Sequence, residues 1–243
     1  PPPSCATPVS QPTPRSGCTH CISQVRQGQA SVGAGYYDAL AELGWEQGRV
    51  LGRNRVSQDL GEPRVVCGAM RRHRETAEAA LKELGLPNEW STDPGFNEYD
   101  HKSLLQVHWP ESGDRAALAS WMEQQEHPRR AFQARFEEAL RRWQRNEDPY
   151  NETWPAFRER VLASLYSLAN GLGRGDSALV FSSGGAISVA IQHLLALDEE
   201  ALITFNRGLV NSSVTRLLVN AGNLRLATLN EHLHLSGELL TYR

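Results

Sequence analysis

Val25-Arg26-Gln27-Gly28-Gln29-Ala30-Ser31 is the stretch on which the fold reading turns. It leaves Cys21 to Val25, a short strand candidate that Ser23 and Gln24 interrupt, and it does so through an always-charged arginine and a glycine that lets backbone approach closely. Outward from it the pattern alternates. Asp38 precedes an apolar-periodic helix through Leu40, Leu43, Trp45 and Leu51, and is the expected cap. Arg64-Val65-Val66-Cys67 reads as a second strand. Arg71 through Leu84 reads as a helix with Ala77, Ala80, Leu81 and Leu84 on one face, ended by Gly85 with Pro87 beyond.

Further along, Ala178-Leu179-Val180-Phe181 is continuously apolar, as a central parallel strand should be. It runs into Ser182-Ser183-Gly184-Gly185 and a helix from Ala186 to Leu197. Ser213 to Val219 and Leu224 to Leu229, around Ala221-Gly222, read as a β-hairpin at the sheet edge. Between these parts, about 100–173 is mostly helical: Phe132, Phe136, Leu140 and Trp143 recur at helical spacing, as do Phe157, Val161, Leu165, Leu168 and Leu172. The expected architecture is therefore three-layer α/β/α, with a mostly parallel central sheet, a helical insertion and a C-terminal hairpin. A ligand should sit at the carboxyl ends of the strands, where Arg26 and Ser183 both fall.

With 243 residues, a 40% hydrophobic and a 22% charged share, the chain suits one sizeable domain over 21–243. Residues 1–20 carry six of the 13 prolines and read as a disordered leader. A net charge of −3 argues against general nucleic-acid binding. The arginines Arg129, Arg130, Arg135, Arg141, Arg142 and Arg145 are interleaved with Glu137 and Glu138, which makes a solvated outer face. No apolar run approaches the roughly 20 residues that span a bilayer, and no signal pattern opens the chain, so a cytoplasmic location is expected. Cys18-Thr19-His20-Cys21 has half the ligands of a zinc site, with no second Cys/His pair at comparable spacing. Cys5 belongs to the leader and Cys67 reads as a small hydrophobe. A homodimer is compatible with the sequence, which identifies no interface.

Three distant segments resemble the histidine phosphatase superfamily, the phosphoglycerate-mutase-like proteins. They are Arg26-Gln27-Gly28-Gln29 with Tyr37-Asp38-Ala39-Leu40 and Leu43-Gly44 behind it; Arg72-His73-Arg74-Glu75-Thr76-Ala77; and Val180-Phe181-Ser182-Ser183-Gly184-Gly185. Asn211-Ser212-Ser213-Val214-Thr215 and Asn230-Glu231 before His234-Leu235 extend the likeness, which covers about 21–236. The resemblance implies phosphomonoester hydrolysis through a phosphohistidine at the position of Gln27. It implies phosphate binding by Arg26, Arg72, Gln29 and Gly184, and a general acid in Phe96-Asn97-Glu98-Tyr99-Asp100, with Glu98 the best match and Asp100 the fallback. It places Ser183 where the family has a second histidine. The chemistry is coherent, since arginine forks match a dianionic phosphoryl group and amides at a helix start face an anion. The expected ligand is phosphate or a phosphomonoester. No metal or cofactor is implied, because the arginines neutralise the charge. The insertion is expected to form a lid that sets the substrate.

Two positions depart from the family pattern. A primary amide at Gln27 cannot carry a phosphoryl group as imidazole does. Ser183 keeps only a neutral hydroxyl, though serine also occurs there among relatives with a Gln-Ala-Ser continuation. Consecutive helical residues point about 100° apart, so His73 should not share the pocket with Arg72; His101 lies near the acid loop. Three readings follow: a phosphate-binding pseudoenzyme with hydrolysis lost or strongly impaired; an active phosphomonoesterase whose Gln27 is a sequence change; and a non-enzymatic interaction module.

Overall fold

A computed structural model describes residues 20–31, 38–54 and 62–242. The proposed leader lies outside them, apart from His20, as do Tyr37 and the cysteines Cys5 and Cys18. The described elements begin with β1 (His20–Arg26), α1 (Glu42–Arg53), β2 (Arg64–Cys67), α2 (Arg71–Leu84) and β3 (Ser91–Thr92). Four helices follow: α3 (His101–His108), α4 (Arg115–Glu123), α5 (Pro128–Gln144) and α6 (Trp154–Asn170). The chain then forms β4 (Ser177–Ser182), α7 (Gly184–Leu194), α8 (Glu200–Gly208), β5 (Val214–Asn220) and β6 (Asn223–Glu231).

The strands form one sheet in the order β3-β2-β4-β1-β5-β6. β3, β2, β4 and β1 are mutually parallel, β5 runs against β1, and β6 runs against β5. β4 lies between β2 and β1 and every one of its residues is buried, which explains its unbroken apolar run. Its alternate side chains serve opposite faces. Ala178 and Val180 join Ile22, Val66, Leu165, Leu168 and Ala190, so α6 and α7 cover one side. Leu179 and Phe181 join Val25, Cys67, Leu51, Ala77 and Leu81, so α1 and α2 cover the other. This is the three-layer α/β/α arrangement with a C-terminal strand pair. The insertion adds its own core, in which Trp143 packs against Tyr99, Trp154 and Phe157 with ring centroids 5.1–5.4 Å apart.

Two local details differ from expectation. Asp38 does not cap α1, which begins at Glu42 behind Ala41. Its carboxylate instead accepts from the Arg71 backbone N–H (2.9 Å) and the Arg72 guanidinium (3.1 Å), serving the start of α2, whose own N-cap Met70 has no capping side chain. α8 was not foreseen. The C-terminus of α2 closes as the sequence suggests: Gly85 is left-handed at φ 68° and its N–H returns to the last turn.

Candidate active site

The sheet brings the functional segments to one end. Register pairs Val25 with Phe181 and Arg26 with Ser182, so the chain leaves β1 and β4 side by side. The Gln27 backbone N–H donates to the Ser182 carbonyl at 2.9 Å, binding the two exits together. α2 joins from the other side through Thr76. Its hydroxyl accepts from the Gly28 N–H (3.0 Å) and donates to the Arg72 carbonyl one turn back (2.7 Å). The threonine four residues after the arginine therefore locks the Gln27 loop onto the helix that carries Arg72.

A cavity of about 410 Å³ opens at this end, lined by Arg26, Gln27, Arg72, Glu98, Asn206 and Asn211 on its polar side. Tyr99, Leu105, Phe132 and Phe136 form much of the remainder, with Ala30 and His101. A larger and shallower groove of about 1000 Å³ lies elsewhere, along Trp154, Arg158, Tyr166 and His193, and contains none of these groups.

Arg26 and Arg72 are nearly fully buried, at 5% and 3% exposure. Arg26 donates through one amino group to the Leu209 carbonyl and through the other to the Tyr242 carbonyl, the latter at 2.8 Å. Residues 239–242 are tied down around it: Thr241 accepts from Asn211 through both its carbonyl (2.8 Å) and its hydroxyl (2.9 Å), and Gln47 donates to the Leu239 carbonyl at 2.8 Å. The guanidinium is thus aimed by partners about two hundred residues away in sequence. The Gln27 side chain is 8% exposed, and its amide oxygen accepts no hydrogen bond from the described residues.

Glu98 faces the cavity from the segment between the sheet and α3. One carboxyl oxygen accepts from the Gly185 N–H at 3.1 Å and the other from the Tyr99 N–H at 3.3 Å. Burial pushes its pKa above the ordinary carboxylate value, and the charges of Arg72 and Arg26 with these two amides offset part of the rise. A Cβ at position 185 would collide with the Glu98 carboxyl, so only glycine admits the acid so close to the start of α7. Asp100, the fallback acid, is exposed and caps α3 by accepting from Lys102 and Ser103, both at 3.1 Å.

Ser183 and His73 form a buried pair. Both are fully inaccessible, and the Ser183 Oγ lies 2.6 Å from the His73 Nε2. Although Ser183 is the N-cap residue of α7, its hydroxyl caps no amide of that helix, because it is turned toward the imidazole. Burial pushes the His73 pKa well below its usual value; the Arg72 and Arg74 charges act the same way, and a backbone hydrogen bond at Gly68 counters them in part. The ring occupies space left by the missing side chain of Gly68. His73 and Arg72 do point apart, but His73 points inward behind the site rather than to the outside.

The remaining sequence candidates fall nearby. Gln29 is not among the cavity-lining residues; its backbone N–H donates to Gln47 at 2.8 Å. Gly184 packs against Arg26 and Asn206 at the start of α7 without lining the cavity. Sequence reasoning missed Asn206, which donates to the Tyr99 hydroxyl at 2.9 Å from the unforeseen α8.

A family model described as histidine phosphatase superfamily (branch 1) matches residues 116–232, taking in the exit of β4, the start of α7 and Asn211. Over those residues, a little under half of the 243, the chain is similar to the histidine phosphatase superfamily. The match begins beyond Arg26–Gln29, Arg72 and Glu98, which it does not cover. Among solved structures, the fold is similar to YhfR of Bacillus stearothermophilus at 17% identity and TM-score 0.62, covering 88% of this chain and 98% of that one. A mycobacterial glucosyl-3-phosphoglycerate phosphatase is similar at 19% identity and TM-score 0.53, over 88% and 100% of the two chains. The phosphoglycerate mutase of Bacillus anthracis is similar at 16% identity and TM-score 0.55, over 88% and 93%. At such identities the likeness establishes the fold alone. No curated protein matches the chain. Among the described residues no helix is long and apolar enough to cross a membrane.

Proposed function

We propose that this histidine phosphatase superfamily protein binds phosphate or a phosphomonoester between Arg26 and Arg72, and that its hydrolytic step is lost or strongly impaired. The observation that carries this reading is the position of Gln27. Gln27 lines the same cavity as both arginines and Glu98, where a covalent phosphoryl carrier would have to stand. An amide nitrogen has no basic lone pair for phosphorus, so the two-step route through a phosphoenzyme is closed at that position. The anion-binding parts do not depend on it. Two buried guanidinium groups supply charge-assisted donors, and a carboxyl whose pKa burial has raised can hold a proton for a leaving oxygen.

The test is hydrolysis of an activated aryl phosphate by this chain and by its Gln27→His variant, with the effect of millimolar vanadate on melting measured alongside. Turnover confined to the variant, with vanadate stabilising both proteins, is the expected result. Equal activity in the two would overturn it. A second reading, residual turnover by an unmodified chain, draws on one observation: His101 also lines the cavity. If His101 were the nucleophile, activity of the unmodified chain would vanish in His101→Asn.

A further inference from the structure

We infer that the cavity selects small phosphomonoesters of apolar or aromatic alcohols over those of sugars or hydroxy acids; this deepens, and rests on, the phosphate-binding reading above. The argument starts from where charge is and is not placed. Among the described residues, the lining cations of permanent charge are Arg26 and Arg72, at the exit of β1 and the start of α2. A phosphoryl group engages both. A second anionic group on the same ligand, a carboxylate or another phosphate, would meet no further arginine or lysine among the described lining residues, and it would meet the carboxyl of Glu98.

The opposite wall comes from the insertion. Leu105 stands on α3, and Phe132 and Phe136 lie one turn apart on α5, so the two rings present one face. Phe136 and Leu105 are themselves buried, at 5% and 8% exposure, and belong with Tyr99 to the insertion's own core. This wall is therefore held in place by packing. The Tyr99 hydroxyl already accepts from Asn206, so the polar atom of that ring is engaged within the protein. A polyhydroxylated group against Leu105, Phe132 and Phe136 would lose its water without compensation, which is costly. An aryl or branched alkyl group would gain from the same burial. The volume of about 410 Å³ lies near the lower end of the roughly 300–1,000 Å³ range of small-molecule sites, so the alcohol is small.

Two stable phosphonates and one phosphomonoester test this by binding alone. Calorimetric titration of the chain with phenylphosphonate, methylphosphonate and 3-phosphoglycerate should rank them in that order, phenylphosphonate binding on the order of tenfold tighter than methylphosphonate. Phe132→Asp should shrink that ratio several-fold. Equal affinity for the two phosphonates, or preference for 3-phosphoglycerate, would overturn the inference while leaving phosphate binding intact. No binding by any of the three would overturn the phosphate reading and this inference with it.

Discussion

The buried Ser183–His73 contact offers a sharp thermodynamic test of how the site is held. Both side chains are inaccessible to water, and their polar atoms are 2.6 Å apart. His73→Leu substitutes an apolar side chain of comparable bulk and strands the Ser183 hydroxyl, at a cost of about 1–3 kcal/mol. Ser183→Ala strands the imidazole Nε2 and should cost a similar amount. Removing both leaves neither group unpaired, so the double variant should lie well above the sum of the singles, with a coupling of about 1–2 kcal/mol. Urea unfolding at pH 8 measures all four proteins; for a domain this size each kcal/mol also moves Tm by roughly 2–4 °C. The pH dependence supplies a second readout. The native imidazole titrates well below its ordinary value, so below about pH 6.5 the unfolded chain binds the extra proton. Stability assigned to His73 is therefore complete at higher pH and lost as the pH falls below that point, and His73→Leu should flatten that limb. Additive single-variant costs, or an unchanged acid limb, would refute the buried-pair account.

Two more outcomes follow from the acid. The Glu98 carboxyl has a raised native pKa, so its favourable contribution is present below the unfolded value and lost as pH rises through the native one. Glu98→Gln should accordingly match or exceed the parent in stability at pH 8, while in the Gln27→His background it lowers turnover more than vanadate binding; equal losses would remove Glu98 as proton donor. Gly185→Ala should displace the same carboxyl by direct collision, and in that background it should reduce turnover at least tenfold with the fold retained by circular dichroism. Unchanged activity would mean that the acid acts from another position.

Much of the fold was legible because each layer writes its own period. The buried β4 reads as an apolar run since it has neighbours on both edges and helices on both faces, and α2 shows its apolar stripe and its Gly85 exit. What stayed hidden depends on distant partners. Asp38 looks like a cap for the helix that follows it, yet its carboxylate is drawn to the two arginines at the start of α2. α8 is nine residues long and buries only Leu202 and Ile203, too little periodicity to stand out, and Asn206 was missed with it. The direction of His73 could not be read from a helical wheel. A wheel separates it from Arg72 correctly, but says nothing of Ser183, which packs from a strand exit 110 residues away.

On the proposed reading, the same long-range contacts would let binding and chemistry separate at this site. Arg26 is oriented by the carbonyls of Leu209 and Tyr242, with Gln47, Asn211 and Thr241 securing the segment that carries Tyr242. A guanidinium already fixed in one rotamer loses little further freedom when an anion arrives. Arg72 is similarly held by Asp38, an ion pair whose carboxylate is half exposed and can remain hydrated when a phosphoryl group takes up other donors of the fork. None of these supports passes through the Gln27 side chain, whose backbone alone is used to join β1 to β4. If the proposed roles hold, a substitution at that one side chain would remove the nucleophile and leave the arginine cradle assembled. The reverse change, Gln27→His, would then meet a pocket whose charges and acid are already in place.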